Sequence, residues 1–521
     1  MNKWLIIFLF FYSAKSFGQI TYYGGKSGEK FDHFIYYLEN YYVEDTDEDS
    51  LTDLAIRHAL TALDRFSTYQ TIEESQAQLN ADKGFNPKGS GFDFYNYKNS
   101  KFIVNYVAPD GPAEKVGIQV HDQLIRINDI ELNLISRDSI YKILNGGKDT
   151  LSVVYKKHSG VQKTVQLVKT LLPYSSIASS YMLTDNVGYI KMVRFTANTE
   201  TEFVASIKRL KEQGIESLVL DLRGNPGGVK SGAIAFTDHF IGGDKLISYS
   251  EGGHFLRQDS HAEIDGEFEE GKLVVLTDNV TASASELFAV AVQDWDRGVI
   301  MGEETFGKGL IQQSYTLNDG STVRLTIAKY YSPTGRLIQK AEYKNWIESV
   351  SNLIPPSGRT AKSIFSPDNF GQTQSGRKIL TGKGGVIPDL YFKKDVQLEL
   401  NNWSYFQQGY VYDFALHYSF VQRNILLKRY FTANELKSDS ALNNQIDIEF
   451  RNYLVSKNFN EAKNKDFSIP EGLFVKVKAW ISSLLWDNAA YHEVNNTNDV
   501  LIERAINLLE NREEYRELLQ N

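Results

Sequence analysis

The chain has 521 residues, 42% hydrophobic and 23% charged, which is more than one ordinary core holds and predicts about three or four domains. A net charge of −9 offers no basic field to a nucleic-acid partner. The absence of cysteine excludes disulfides, thiol catalysis, cysteine-ligated metal and a thiol-linked lipid anchor.

The predicted elements begin with an address. Lys3 precedes the apolar run WLIIFLFFY at residues 4–12, which is too short to span a bilayer. Ser16 and Gly18 are small residues suited to a cleavage before Gln19. The expectation is a signal peptide over 1–18 and a periplasmic or exported chain with no membrane span after cleavage; an uncleaved anchor is the alternative.

Residues 19–87 read as a helical region, because FDHFIYYLENYY and LTDLAIRHALTALDRF space apolar residues by three and four. The acidic VEDTDEDS between them reads as a solvated turn and helix cap. Over 88–170 the composition shifts. KFIVNYV, DQLIRIND and TLSVVYKK alternate like strands among Gly, Pro and Asn-Asp turns, and SRDSIYKILNG reads as a short helix. A small β barrel plus two helices is predicted there. Over 171–394 the strands VGYIKMVRF, SLVLDLRG, KLVVLTDN and VRLTIAKYYS alternate with the helices TETEFVASIKRLKEQG and ASELFAVAVQDW, an α/β layer structure. Residues 395–521 return to polar helix and end in the one-striped NDVLIERAINLLENREEYRELLQN.

Several motifs fail on inspection. GGKSGEK has Ile20 where a phosphate loop needs its first glycine, and no strand precedes it. Ser27 with Lys30, and Ser375 with Lys378, match S-x-x-K without an accompanying Lys-Thr-Gly, and none of the nine histidines sits in H-E-x-x-H.

Two segments carry more. LVLDLRGNPGG ends an apolar strand in Asp221, Arg223 and a glycine turn. It is either a tight turn needing positive φ or a side-chain-free loop that aims N–H groups at a reacting oxygen. TDNVTASASELFAVAVQD places Thr281, Ser283, Ser285 and Glu286 at a helix start. Ser283 there either caps the helix or serves as a nucleophile beside the N–H of Ala284, in the positive field of the helix N-terminus. No histidine lies nearby in sequence. A lysine can take the hydroxyl proton if burial lowers its pKa from about 10.4 by roughly three, at about 4 kcal/mol. Lys308, between Phe306-Gly307 and Gly309-Leu310 with Gln312 at strand spacing, supplies one; a solvated hairpin lysine is the alternative.

In order along the chain, LTALDRFSTYQTIEE, a PDZ segment, LVLDLRGNPGG, LTDNVTASASELFAVAVQD, GEETFGKGLIQ, LTIAKYYSPTGRLIQ and GGVIPDL resemble the carboxyl-terminal processing (tail-specific) serine protease family over residues 30–392. The resemblance implies a multidomain α/β chain: a crotonase-like α/β protease core, a PDZ domain and helical N- and C-terminal regions. It implies Ser283 as nucleophile, Lys308 as general base and Gln312 as the group orienting that base. The oxyanion hole would be the N–H of Ala284 with that of Gly227 or Gly228, Gly228 being favoured. The PDZ domain would hold a protein or peptide tail with an apolar C-terminus, its carboxylate on the loop of Gly91 and Phe92, its side chains against Ile140 and Leu144. No metal or cofactor is needed, and an adaptor or a second copy of the chain is a further candidate partner. Thr281 replaces the serine common at the start of its string, and Val120-His121-Asp122 replaces the usual Pro-Gly-Asp turn.

Three rival readings stand beside this one. A catalytically silent PDZ scaffold would bind tails in the cell envelope, although the joint presence of Ser283, Lys308 and Gln312 speaks against it. A trypsin-like PDZ protease would need Gly-Asn-Ser-Gly-Gly where this chain has Gly-Asn-Pro-Gly-Gly. An acyl-transfer enzyme of the broader crotonase-like architecture would keep the glycines without needing Lys308.

Overall fold

The computed structural model describes residues 26–97, 101–340, 370–382, 384–392, 409–464 and 469–520. The expected signal peptide and the expected boundary at 394/395 lie outside the described residues. The chain divides into two units, 1–69 and 70–521. In the first, the helices Lys26–Tyr41 and Glu48–Thr61 follow one another, and Asp47 of the acidic segment caps the second through Ser50 N–H at 3.2 Å.

In the second unit the strands Phe92–Tyr97, Lys101–Val107, Gln123–Ile127, Thr150–Lys156 and Gln162–Val168 form one antiparallel sheet in that order. The helices Pro112–Lys115 and Arg137–Asn145 accompany it. Phe94, Phe102, Leu124, Leu151, Tyr155 and Leu167 fill its core. His121, standing where glycine is usual, takes φ +74°, a left-handed conformation costly for a side chain. Its ring is buried, and Nε2 lies 3.0 Å from Ser419 Oγ in the C-terminal region.

A second sheet runs Ile177–Met182, Val187–Met192, Ser217–Asp221, Lys272–Thr277, Val299–Gly302 and Leu390–Tyr391, parallel after its first antiparallel pair. Its strands read as continuous apolar runs because both faces are covered. Thr199–Glu212, Lys230–Asp238 and Ala284–Asp294 cover one face around Phe203, Phe236, Phe240 and Phe288. On the other, Val219, Val274, Leu276 and Met301 pack on Ile502, Ala505, Leu508 and Leu509 of the helix Val500–Glu510. Register sets Asp221 beside Leu276, so the loops after these two neighbouring strands emerge together at their carboxyl ends. Open α/β sheets bind their ligands at that end.

The helices Tyr410–Arg429, Ser440–Ser456 and Glu471–Leu485 pack around Phe414, Phe450, Leu473 and Ile481. This C-terminal region reaches both sheets: Asn105 Nδ2 donates to Tyr412 OH at 3.0 Å, and Asn496 Nδ2 to Tyr181 OH at 3.0 Å. No helix among the described residues is long and apolar enough to cross a membrane.

Candidate active site

The turn from Lys272–Thr277 into Ala284–Asp294 is strained at one residue. Ser283 has φ 56° and ψ −114°, a conformation that a β-carbon disfavours. A serine held so at a strand–turn–helix junction has the geometry of a nucleophile elbow. The three hydroxyls of this segment have different employment. Thr281 is buried, with Oγ1 3.0 Å from both Leu222 O and Asp278 Oδ1. Ser285 is buried and donates to Asn225 O at 3.2 Å. The Ser283 hydroxyl is partly exposed, and it faces the Glu286 N–H in a capping-box arrangement at the helix start. Glu286 supplies the reciprocal half, its carboxylate reaching back to the Ser283 N–H at 2.8 Å.

The glycine loop is fastened to this turn. Asn225 O accepts the Ala282 N–H at 3.1 Å, and Asn225 Oδ1 accepts the Gly227 N–H at 2.9 Å. A β-carbon on Gly227 would lie 2.5 Å from Ala282 O, 2.8 Å from Ala284 N and 2.9 Å from Ser283 Cβ; on Gly228 it would lie 2.0 Å from Phe195 O. Both positions therefore exclude a side chain. The N–H of Gly227 is engaged, whereas those of Gly228 and Ala284 have no partner among the described residues. Gly228 is also exposed.

Lys308 is brought to the serine by a buried carboxylate. Glu286 Oε1 accepts from Thr305 Oγ1 and Gly307 N, each at 2.6 Å, and Oε2 from Lys308 N and Ser283 N, each at 2.8 Å. Burial pushes this carboxyl up, and the four donors oppose that rise. One oxygen shared by both N–H groups keeps the Ser283 and Lys308 nitrogens within two hydrogen-bond lengths of each other. Sequence reading places Glu286 only at the helix start; its reach to the Lys308 loop needs the fold. Gln312 lies on the strand Leu310–Thr316, opposite Thr326, and its Nε2 donates to Thr326 Oγ1 at 3.3 Å.

Residues 186–348 match the family described as Peptidase family S41, and residues 76–156 match the PDZ domain. The carboxyl-terminal-processing protease of Synechocystis sp. strain PCC 6803 is 31% identical over 323 residues, covering 60% of this chain and 74% of that protein. The chain belongs to the carboxyl-terminal processing protease family. Carboxy-terminal processing protease CtpA of Bacillus subtilis strain 168 is 29% identical over 329 residues, 63% of this chain and 70% of that one. Among solved structures, the photosystem II D1 C-terminal processing protease is 26% identical, covers 72% of this chain and 88% of its own, and superposes with a TM-score of 0.38.

The remaining motifs of this processing protease brace the site. In GGVIPDL, Val386 N donates to Thr305 Oγ1 at 2.7 Å, and Asp389 Oδ2 accepts Ile300 N at 2.8 Å. Asp221 is buried, which opposes its charge, yet Arg223 and Lys191 hold its carboxyl well below the ordinary range. Arg223 continues to Asp499 Oδ2 at 2.8 Å, so the root of the glycine loop is tied to the C-terminal region.

Two of the four PDZ residues are placed differently from expectation. Gly91 has φ +76°, and Phe92 begins an edge strand paired, among the described residues, only with Lys101–Val107. Ile140 and Leu144, expected to face a tail, are 0% and 4% exposed and belong to the domain's own core. Periodicity identifies an apolar helix face but not which side of it meets the sheet. Tyr141 instead stacks on Phe94 at 5.0 Å, and its hydroxyl donates to Asp93 Oδ1 on the edge strand.

Proposed function

We propose that this chain is a serine endopeptidase that cleaves exported proteins through a Ser283–Lys308 dyad, its PDZ domain taking apolar C-terminal tails by strand addition beside Phe92. The observation carrying this is the difference among three hydroxyls: Thr281 and Ser285 are buried and bonded into the loop, while Ser283 is partly exposed on a strained turn against the glycine loop, where the N–H groups of Gly228 and Ala284 have no partner among the described residues. The signal peptide and the division into 19–87, 88–170, 171–394 and 395–521 belong to the same proposal.

Neutral Lys308 accepts the Ser283 hydroxyl proton as Oγ attacks the peptide carbonyl. The oxyanion takes the N–H groups of Gly228 and Ala284; each such donor contributes about 10²–10³ in rate. Gly228 is assigned over Gly227 because Asn225 already holds the latter's N–H. The Lys308 ammonium then protonates the leaving amine. Lys308 next deprotonates a water, which attacks the ester and frees Ser283. Gln312 orients the amine through its side-chain amide.

The test is cleavage of an unstructured reporter ending in an apolar tail, with Ser283→Ala and Lys308→Ala beside wild type and folding followed by circular dichroism. Loss in both folded variants is expected. Cleavage surviving in Ser283→Ala refutes the assignment. A wild type that neither cleaves nor labels with a serine-reactive probe supports a silent scaffold instead.

A further inference from the structure

The segment LTIAKYYSPTGRLIQ is left over by the chemistry above, yet its first tyrosine reaches both halves of the dyad. Tyr330 lies on the strand Thr322–Tyr331 and is 3% exposed. Its hydroxyl is 2.6 Å from Ser283 O and 2.5 Å from Lys308 O. A phenol has one proton, so the two carbonyls share it in a three-centre bond. Burial, and the Glu286 charge nearby, push the phenol well above its usual value and keep it a donor.

The arrangement complements Glu286. One carboxylate oxygen accepts both N–H groups, of Ser283 and Lys308, and one phenol serves both C=O groups. The residues around Lys308 are equally spoken for: Gly307 O accepts Lys340 N at 3.1 Å, Gly309 N donates to Gln339 Oε1 at 3.0 Å, and Gly309 O accepts Tyr330 N at 3.0 Å. The backbone from Gly307 to Gly309 is thus held at every polar atom.

We propose that Tyr330 is a positioning residue of the dyad, its hydroxyl fixing the separation of the Ser283 and Lys308 backbones through their carbonyl oxygens. The inference rests on the Ser–Lys reading. A lysine amine stays neutral only while it is kept from water and against its serine. Removing the phenol leaves Lys308 O without that donor, while Ser283 O keeps the N–H groups of Glu286 and Leu287, so Lys308 can drift from the serine toward solvent, where a lysine amine is an ordinary base.

The test compares Tyr330→Phe with wild type, since phenylalanine keeps the ring and the strand register and removes only the O–H. The expected result is kcat down about 10–100-fold with KM within about twofold. The apparent pKa governing acylation by a serine-reactive probe should also move up by about one pH unit. A wild-type kcat and pH profile overturns the proposal; so does a lower kcat with an unmoved pKa, the mark of a merely structural role. If circular dichroism shows Tyr330→Phe unfolded, 3-fluorotyrosine at this position keeps the packing and alters the donor, and an identical pH profile overturns the idea. Lys308→Ala run alongside separates the two failures. Its acylating normally removes the dyad and Tyr330's role together, whereas an inactive Lys308→Ala beside an unchanged Tyr330→Phe removes only the latter.

Discussion

Gly227→Ala, set against Gly224→Ala, isolates what the glycine loop does for the serine turn. Both glycines have positive φ, +93° and +71°, so alanine costs each about 1–2 kcal/mol of backbone strain. They differ in what the new methyl group meets. At Gly224 nothing lies within 4 Å, whereas at Gly227 three atoms of the Ser283 turn lie between 2.5 and 2.9 Å. Two of these are backbone atoms of Ala282 and Ala284, which cannot rotate away, so the turn must shift by several tenths of an ångström. In the proposed mechanism such a shift carries Ser283 Oγ and the Ala284 N–H off the reacting carbonyl, and misplacement on the 1 Å scale costs about 10²-fold. Gly227→Ala is therefore expected to lose about 10²-fold in kcat, about 2.7 kcal/mol of barrier, while Gly224→Ala stays within a few-fold of wild type. The assay is reporter cleavage at saturating substrate, with thermal unfolding of both variants to show comparable stability loss from φ. Equal kcat in the two variants would refute the argument that the loop positions the serine.

Two further outcomes follow from buried ionisable groups. Glu286→Gln turns one of the two carboxylate oxygens into an amide NH2, so two of the four donors at this fully buried site would face a donor. A loss of about 2–4 kcal/mol in stability with a parallel fall in kcat is expected from denaturant unfolding and reporter cleavage; an unaltered midpoint counts against the clamp. His121 is pushed down to about 3 by burial first, then by Arg423 and His158. Its folded pKa lies below its unfolded value, so its contribution is complete above about 6.5 and is lost as pH falls toward 3, at about 1.4 kcal/mol per pH unit. Urea unfolding at pH 7, 6 and 5 should show a shallower acid loss in His121→Gln than in wild type, and equal slopes would exclude His121 as the source.

Period and composition reveal elements whose patterns are local. KLVVL, ASELFAVAVQDW and VRLTIAKYYS occupy the strand Lys272–Thr277, the helix Ala284–Asp294 and the strand Thr322–Tyr331. What they cannot reveal is which hydroxyl is occupied. Thr281, Ser283 and Ser285 are equivalent as a string, and the partners that remove two of them from contention, Leu222 O and Asn225 O, lie about sixty residues upstream. The same limit hides Glu286's hold on Lys308 and leaves Ile140 and Leu144 as an apolar helix face of unknown orientation.

His121 shows how a departure from pattern becomes readable once its partner is known. Glycine at a left-handed turn needs no explanation, whereas histidine at φ +74° pays in strain for something a glycine cannot do. Its ring meets Ser419 in the C-terminal region, and Arg223 meets Asp499 in the same region from the other sheet. The C-terminal segment carries no catalytic motif, but it is bonded both to the PDZ turn and to the root of the glycine loop. A change at either contact therefore acts on two parts of the protease, and the acid sensitivity expected of His121 is a property of that junction rather than of the PDZ domain alone.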